Sequence, residues 1–141
     1  MDLRDGFALE DPAVVIPWTI TVAELRSLFG SHLREVTRGY FTVSCTSLGG
    51  LQHELGFHFM PRDGDRLNEL EFFRRAYPNQ AESFEEFQRH FEAAFGRPDW
   101  TEQRSGAFPA YAWNVPGAQI VHYVIDRFGP EEHLHIERRA Q

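Results

Sequence analysis

The sequence predicts an α+β domain in which two helices pack on an antiparallel sheet of about six strands, arranged as two meanders. Two segments carry apolar residues at helical spacing, and runs of alternating apolar and polar residues follow each of them. Short turns separate these runs, which makes neighbouring strands antiparallel. A length of 141 residues fits one domain, residues 1–141, and no internal repeat is visible. We expect residues 1–13 to form a loose N-terminal arm or an edge of the fold.

Composition excludes several classes of function. The chain has 21 acidic and 14 basic residues, and every basic residue is Arg. The acidic balance disfavours nucleic-acid binding, and the lack of Lys excludes Schiff-base chemistry and a P-loop. The single cysteine, Cys45, cannot form an internal disulfide. Because no apolar run approaches the ~20 residues of a membrane span and no secretory signal is visible, we expect a cytoplasmic protein with no membrane partner and no cofactor.

The first predicted helix has clear start and stop signals. Residues 14–20 precede it as a short strand, which Pro17 confines to an edge or an entry loop because proline cannot donate a hydrogen bond. Thr21 is a plausible N-cap, and Glu24 stands at the capping-box position. Gly30 is expected to end the helix.

Three alternating segments follow the first helix: residues 40–46, 51–60 and 67–73. In the second segment, Leu51, His53, Leu55, Phe57 and Phe59 share one predicted face, and Gln52, Glu54, Gly56 and His58 share the other. Asp63-Gly64 is a strong hairpin signal before the third segment. These strands should form the first meander.

The second predicted helix carries a Phe stripe: Phe84, Phe87, Phe91 and Phe95. Ser83 is the predicted N-cap with Glu86 at the capping-box position, and Gly96 ends the helix. We expect all four rings to be buried against the sheet. The polar stretch from Trp100 to Gly106 is interpreted as a loop, followed by strands over residues 111–115, 119–128 and 133–138.

The C-terminal hairpin offers a candidate metal site. If Phe128 faces His133 across the hairpin, then Asp126 faces His135, and one face carries three possible ligands for a divalent metal. The same pairing puts Val121, Tyr123, Ile125, Leu134 and Ile136 on the other face. The alternative interpretation is a solvated face on which His and Asp pair without a metal. We expect the two histidines to point to the same side with no metal bound.

The other residues that could carry out chemistry are more simply interpreted as structural. Cys45 with a histidine could form a nucleophilic pair, but its strand parity places it in the core, where a thiol is unreactive. His53 is interpreted as a core histidine, whereas His58 lies on the opposite face. Glu69 and Glu71 share a strand face, as paired acids in a hydrolase would, although a solvated strand face is commoner.

No motif demands catalysis, so a binding role is expected. The Phe-rich helix ending Phe95-Gly96-Arg97-Pro98, the following Trp113 and the hairpin of residues 120–136 resemble the small immunity proteins of bacterial toxin systems. The resemblance covers the C-terminal half and implies a tight complex with a cognate toxin. A secretion-chaperone-like role belongs to the same class.

The contact residues proposed for a protein partner are acidic side chains of the second helix and one aromatic residue after it: Glu85, Glu86, Glu92 and Trp100. Two other functions stay open. One is a small-molecule-binding protein with a pocket between sheet and helix, lined by Phe and Trp. The other is a metal-dependent enzyme that uses the polar face of the C-terminal hairpin.

Overall fold

A computed structural model describes residues 1–61, 64–104, 108–127 and 129–139. The elements in chain order are β1 (Gly6–Glu10), β2 (Ala13–Pro17), α1 (Val22–Phe29), β3 (Arg34–Thr37), β4 (Tyr40–Ser47), β5 (Leu51–Met60), β6 (Arg66–Phe73), α2 (Gln80–Phe95), β7 (Trp100–Glu102), β8 (Ala110–Val115), β9 (Ala118–Asp126) and β10 (Pro130–Arg138). No helix in these described ranges is both long and apolar enough to cross a membrane.

The large sheet contains eight antiparallel strands in the order β3-β4-β5-β6-β10-β9-β8-β7. This confirms the α+β class with two helices and an antiparallel sheet, but the predicted number of about six strands is too low. The additional strands are β3 and β7, which form the two edges and are too short to show alternation. β7 occupies the start of the stretch predicted as a loop, of which residues 105–106 lie outside the described ranges. A separate hairpin is formed by β1 and β2.

The sheet has a repeated organisation that the sequence does not show. Each half consists of a helix followed by four consecutive strands, and the two halves meet where β6 pairs with β10. A Phe-Gly pair ends each helix, Phe29-Gly30 in the first half and Phe95-Gly96 in the second. Because the strand order reverses across this junction and both helices lie on the same face, an approximate twofold axis passes between β6 and β10.

The two helices differ in how well their starts were predicted. Thr21 caps α1, the Glu24 carboxylate completes the capping box, and Gly30 is the C-cap, as predicted. α2 instead begins after Asn79, whose side chain accepts a hydrogen bond from the Glu82 amide. The predicted Ser83 N-cap is therefore wrong. Its hydroxyl donates to Glu132 across the α2–sheet interface.

The core lies between the sheet and one covering layer, formed by both helices and the β1–β2 hairpin. Ring centroids lie 5.9 Å apart for Phe29 and Phe57, 5.1 Å for Phe91 and Phe72, and 5.4 Å for Phe7 and Phe72. Three rings of the α2 stripe are buried as predicted: Phe84, Phe87 and Phe91. The fourth ring, Phe95, is only half-buried because it lies in the last turn of the helix.

The N-terminal segment is anchored, so the expectation of a loose arm over residues 1–13 is wrong. Leu3 and Phe7 are fully buried. The Leu3 amide donates to the Pro116 carbonyl at 3.0 Å, and the Trp18 indole donates to the Leu3 carbonyl at 2.7 Å. Alternating apolar residues, not net charge, decide the placement of this segment.

Candidate functional site

The two faces of the large sheet differ in what covers them. Both helices and the β1–β2 hairpin pack on one face, and we call the opposite surface the open face. Among the described residues, no helix or second sheet packs on it. Strand register brings six side chains together near its centre, which we call the central cluster: Tyr40, His58, Glu69, Glu71, His133 and His135.

Glu71 is the hydrogen-bonding centre of this cluster. The Tyr40 hydroxyl donates to Glu71 Oε1 at 2.7 Å, and His58 Nε2 lies 3.3 Å from the same oxygen. His135 Nδ1 lies 3.0 Å from Glu69 Oε2. Gly56 permits this packing, because a Cβ there would come within 2.8 Å of the Tyr40 ring. The cluster therefore combines groups from four strands.

The close packing shifts the proton affinities of these groups. The hydrogen bond from His58 lowers the pKa of Glu71 despite its burial, and the Tyr40 hydroxyl adds to this effect. Burial and the Glu71 carboxylate raise the pKa of Tyr40. Burial alone would lower the pKa of His135, but Glu69 and the other nearby carboxylates raise it above its usual value. Near neutral pH, the cluster holds an ionised Glu71 beside a neutral tyrosine.

The histidines of β10 form a ring stack with β9. His133 stacks on Tyr123 at a centroid distance of 5.0 Å and on His135 at 5.7 Å. The prediction that both histidines point to the same side is confirmed. Within the described part of the chain, His133 Nε2 and both ring nitrogens of His135 are buried without an aligned hydrogen bond. These nitrogens are therefore shielded from water within the ring stack.

The predicted register of the C-terminal hairpin is wrong. Asp126 pairs with Pro130, and His135 pairs with Val121. Phe128, the predicted partner of His133, lies outside the described residues. Because the register differs from the predicted one by an odd number of residues, Asp126 lies on the helix-covered side, opposite the two histidines.

The predicted trio of Asp126, His133 and His135 is therefore not assembled. In the described ranges, no group of three or more His, Cys, Asp or Glu side chains is placed to hold a metal ion. The histidines of β10 face Glu69 and Tyr123 instead.

The observed register leaves an apolar stripe on the open face. Val121, Tyr123 and Ile125 of β9 share that face with His133 and His135, and each is only partly buried. The sequence pattern had placed these three residues with Leu134 and Ile136. Trp100 pairs with Ala112 at the β7 edge and so adds a 49% exposed indole to the same face.

His122 of β9 is buried and faces the core, whereas the sequence pattern predicted that its apolar neighbours on β9 would do so. Its Nε2 lies 2.6 Å from Glu132 Oε2 and its Nδ1 lies 2.8 Å from Gln88 Oε1. Burial lowers the pKa of His122, and Glu132 opposes that shift. Phe84 stacks on the ring at 4.1 Å. Neither the burial of His122 nor its partners follow from the local sequence, because Gln88 and Glu132 come from other elements.

The acidic residues proposed as partner contacts lie on the other side of the molecule from Trp100. Glu85 and Glu92 are exposed on α2 and border a shallow depression of about 330 Å³. Glu86 is less available because its carboxylate forms an ion pair with Arg74. The four proposed contact residues therefore do not form one surface.

Cys45 and His53 face each other across β4 and β5, with Sγ 3.7 Å from Nε2. Burial raises the pKa of the Cys45 thiol to about 12 and lowers the pKa of His53 to about 4. Ser47 donates to His53 Nε2, and His53 Nδ1 donates to the Glu54 carbonyl. The pair is thus neutral and hydrogen-bonded, which is typical of a core and not of a thiolate nucleophile.

The sequence predicted a ligand pocket beside this core, and the structure contains a cavity at a different place. The space between the sheet and α2, predicted as a ligand pocket, is filled by rings such as Phe91 and Trp113, whose centroids lie 6.1 Å apart. A cavity of about 910 Å³ lies instead beside β4, where Ser44, Cys45 and Glu54 form part of its wall. We call it the edge cavity.

Comparisons with known proteins found no relative. No protein-family model, curated protein or solved structure matches this chain. The two halves of the sheet can be compared with each other. At their junction Glu71 pairs with His135, and the open-face pair of His58 with Glu69 in the first half has a counterpart in Tyr123 with His133 in the second. The halves share a backbone arrangement and differ in the chemistry they present.

Proposed function

We propose that this chain is a non-catalytic protein-binding domain that holds its partner on the open face. Its class would be that of the toxin-neutralising immunity proteins, which the C-terminal half resembles, or of secretion chaperones. One observation carries the proposal: in the part of the chain that the structure describes, the eight-stranded sheet is covered on one side only, and its other side presents the β9 apolar stripe and Trp100.

The chemistry of the open face suits a protein partner. Apolar and aromatic side chains that lie next to polar ones are typical of the centre of protein interfaces. Tyr123 and Trp100 supply rigid rings at low entropic cost, and such residues often dominate binding energy. Glu69, Glu71 and Glu137 place carboxylates on one side of the stripe, on β6 and β10. A partner that carries Arg or Lys residues beside an apolar patch would complement this surface.

The titratable groups favour binding over chemistry. Cys45 is held as a protonated thiol, and His53 is a poor base because burial lowers its pKa to about 4. The Glu71 carboxylate is engaged by Tyr40 and His58. These groups fix the shape and charge of the sheet, which is what recognition requires.

The test begins with purification of the full chain from its native host and identification by mass spectrometry of the protein bound to it. The dissociation constant of the complex is then measured for Trp100→Ala and for Glu137→Arg on the open face. We expect each to weaken binding at least about tenfold, which corresponds to ~1.4 kcal/mol. Glu85→Arg on α2 is the matched control and should leave the dissociation constant within about twofold.

Each outcome of this test has a different meaning. If Glu85→Arg weakens binding while Trp100→Ala and Glu137→Arg do not, the open face is not the binding surface. If no stoichiometric partner is found, the protein-binding function fails. A partner that is toxic when expressed alone and harmless with this chain identifies the immunity class, whereas an exported partner that needs the chain to stay folded identifies the chaperone class.

A further inference from the structure

The β4 strand has a gap in its pairing on the outer side. β3 pairs with β4 only as far as Arg34 with Thr42. Further along, β4 meets the N-terminal hairpin at a single bridge, between Thr46 and Asp11. Among the described residues, no strand pairs with the outer side of β4 between these two points. At ~3.4 Å per residue, the gap is about 14 Å long.

The register shows which backbone groups face the gap. Thr46 and Asp11 exchange both backbone hydrogen bonds, at 2.9 and 3.2 Å, so the amide and carbonyl of Thr46 point away from β5. In an antiparallel strand, every second residue points the same way, and β4 pairs with β5 without a bulge. Ser44 therefore directs its N–H and C=O into the gap. Its exposed side chain is consistent with an open edge.

The edge cavity of about 910 Å³ lies along this gap. On the helix-covered side its wall includes Leu28, Phe29 and Cys45, and Leu28 is one of the large apolar residues that remain exposed. On the open-face side its wall includes Ser44 and Glu54. An added strand would thus meet Leu28 and Phe29 on one side and a polar wall on the other. Arg74 and Glu86, which form an ion pair with each other, also line the helix-covered side of the cavity.

Glu54 is a charged residue of the polar wall and lies beside Arg75, which also lines the cavity. The residue is 8% exposed, and its Oε2 accepts a hydrogen bond from the Ser44 hydroxyl at 2.5 Å. Its Oε1 has no aligned hydrogen bond, although Arg75 Nε lies 2.9 Å away. Because Arg75 is 58% exposed, another cation can replace it without leaving a buried charge behind. Ser44 is short enough for a long basic side chain to pass over it.

We propose that this gap is a docking site for an extended segment of the partner protein, which pairs with Ser44 as an added strand. The residue opposite Ser44 is Arg or Lys and reaches Glu54, and the residues on either side of it are apolar and face Leu28. Main-chain pairing gives the affinity, and the alternate side chains give the specificity, as in other cases of strand addition. The proposal rests on the protein-binding function and names the part of the partner that is recognised.

The test uses the full chain and a synthetic peptide, acetyl-Ser-Val-Arg-Val-Ser-amide, observed by amide NMR and hydrogen exchange. In the free chain, the Ser44 amide should exchange faster than those of Val43 and Cys45, which face β5. At millimolar concentration, the peptide should shift the Ser44 signal and slow its exchange. Replacing Arg by Glu in the peptide, or Glu54→Gln in the chain, should weaken binding roughly tenfold.

Glu85→Gln, which is exposed on α2 and does not line the edge cavity, is the matched control and should bind the peptide as the unchanged chain does. The amide spectrum shows whether each variant is folded. Equal binding of the Arg and Glu peptides, or no protection of Ser44, would overturn the proposal. So would a Ser44 amide already protected in a dimer, because a second copy would then fill the gap. If the native partner binds without protecting Ser44, this inference fails and the protein-binding function stands.

Discussion

His135 shows how one residue couples the central cluster to stability. Glu69 lies 3.0 Å from its Nδ1, and the surrounding carboxylates raise its pKa above 6.5 although burial acts in the opposite direction. A histidine whose pKa is higher in the folded state stabilises the fold at pH values below its ordinary pKa. That contribution is lost as the pH rises through the folded-state pKa.

We therefore expect Glu69→Gln to lower the pKa of His135, measured by NMR titration of the ring. The variant should lose free energy of unfolding of the order of 1 kcal/mol at pH 6, because the pair is only half-buried, and less at pH 9. Urea denaturation at both pH values measures this difference. Glu85→Gln, which is exposed on α2, is the control and should change neither quantity. An unchanged His135 pKa in Glu69→Gln would show that Glu69 does not hold the proton.

At the scale of elements, α2 is the main support of the covered face. Phe91 is fully buried and contacts Phe72 and Trp113, with centroid distances of 5.1 and 6.1 Å. Phe91→Ala should lower the free energy of unfolding by about 3–5 kcal/mol, because it leaves a cavity that neighbouring rings cannot fill. Phe95→Ala, in the half-buried last turn, should cost clearly less. Chemical denaturation of both variants tests the difference, and equal losses would contradict the observed depth of the two rings.

Elements with strong local signals could be predicted, and elements defined by long-range pairing could not. The α1 capping box and the alternation of β4, β5 and β6 lie within short stretches of sequence. β3 and β7 have few residues, and their neighbours in the sheet create them.

The register of the hairpin formed by β9 and β10 was predicted wrongly for a different reason. Its register depends on a loop whose length the sequence did not specify. Apolar Val121, Tyr123 and Ile125 suggested the core side. His122 occupies it instead, because Gln88 and Glu132 place an oxygen beside each of its ring nitrogens.

The candidate site could be predicted only in fragments. Strand parity placed His58 on the outer face of its strand, and it placed Glu69 and Glu71 on a common face. Their meeting with His135 depends on the pairing of β6 with β10, which brings together residues from the two halves of the chain. No periodicity within either half specifies that junction. The same long-range pairing creates the twofold organisation of the sheet.

At the scale of the whole molecule, the net charge of −7 should act on the rate of association with a partner. Glu85 and Glu92 are exposed and lie away from the open face, so their charges contribute to the field around the molecule without contacting a partner bound there. Such charges accelerate the encounter with a basic protein more than they stabilise the complex. Glu86 is unsuitable for the test because its ion pair with Arg74 would also be broken.

We expect the double variant Glu85→Arg and Glu92→Arg to associate several-fold more slowly at low salt, because the attractive field is weakened. The difference should shrink at 0.15 M salt, where the screening length is about 8 Å. The dissociation rate should stay unchanged. Trp100→Ala is the complementary control, since loss of a contact on the open face should raise the dissociation rate at both salt concentrations. If the charge variant instead dissociates faster at both salts, α2 contacts the partner directly, and the acidic helix would belong to the interface.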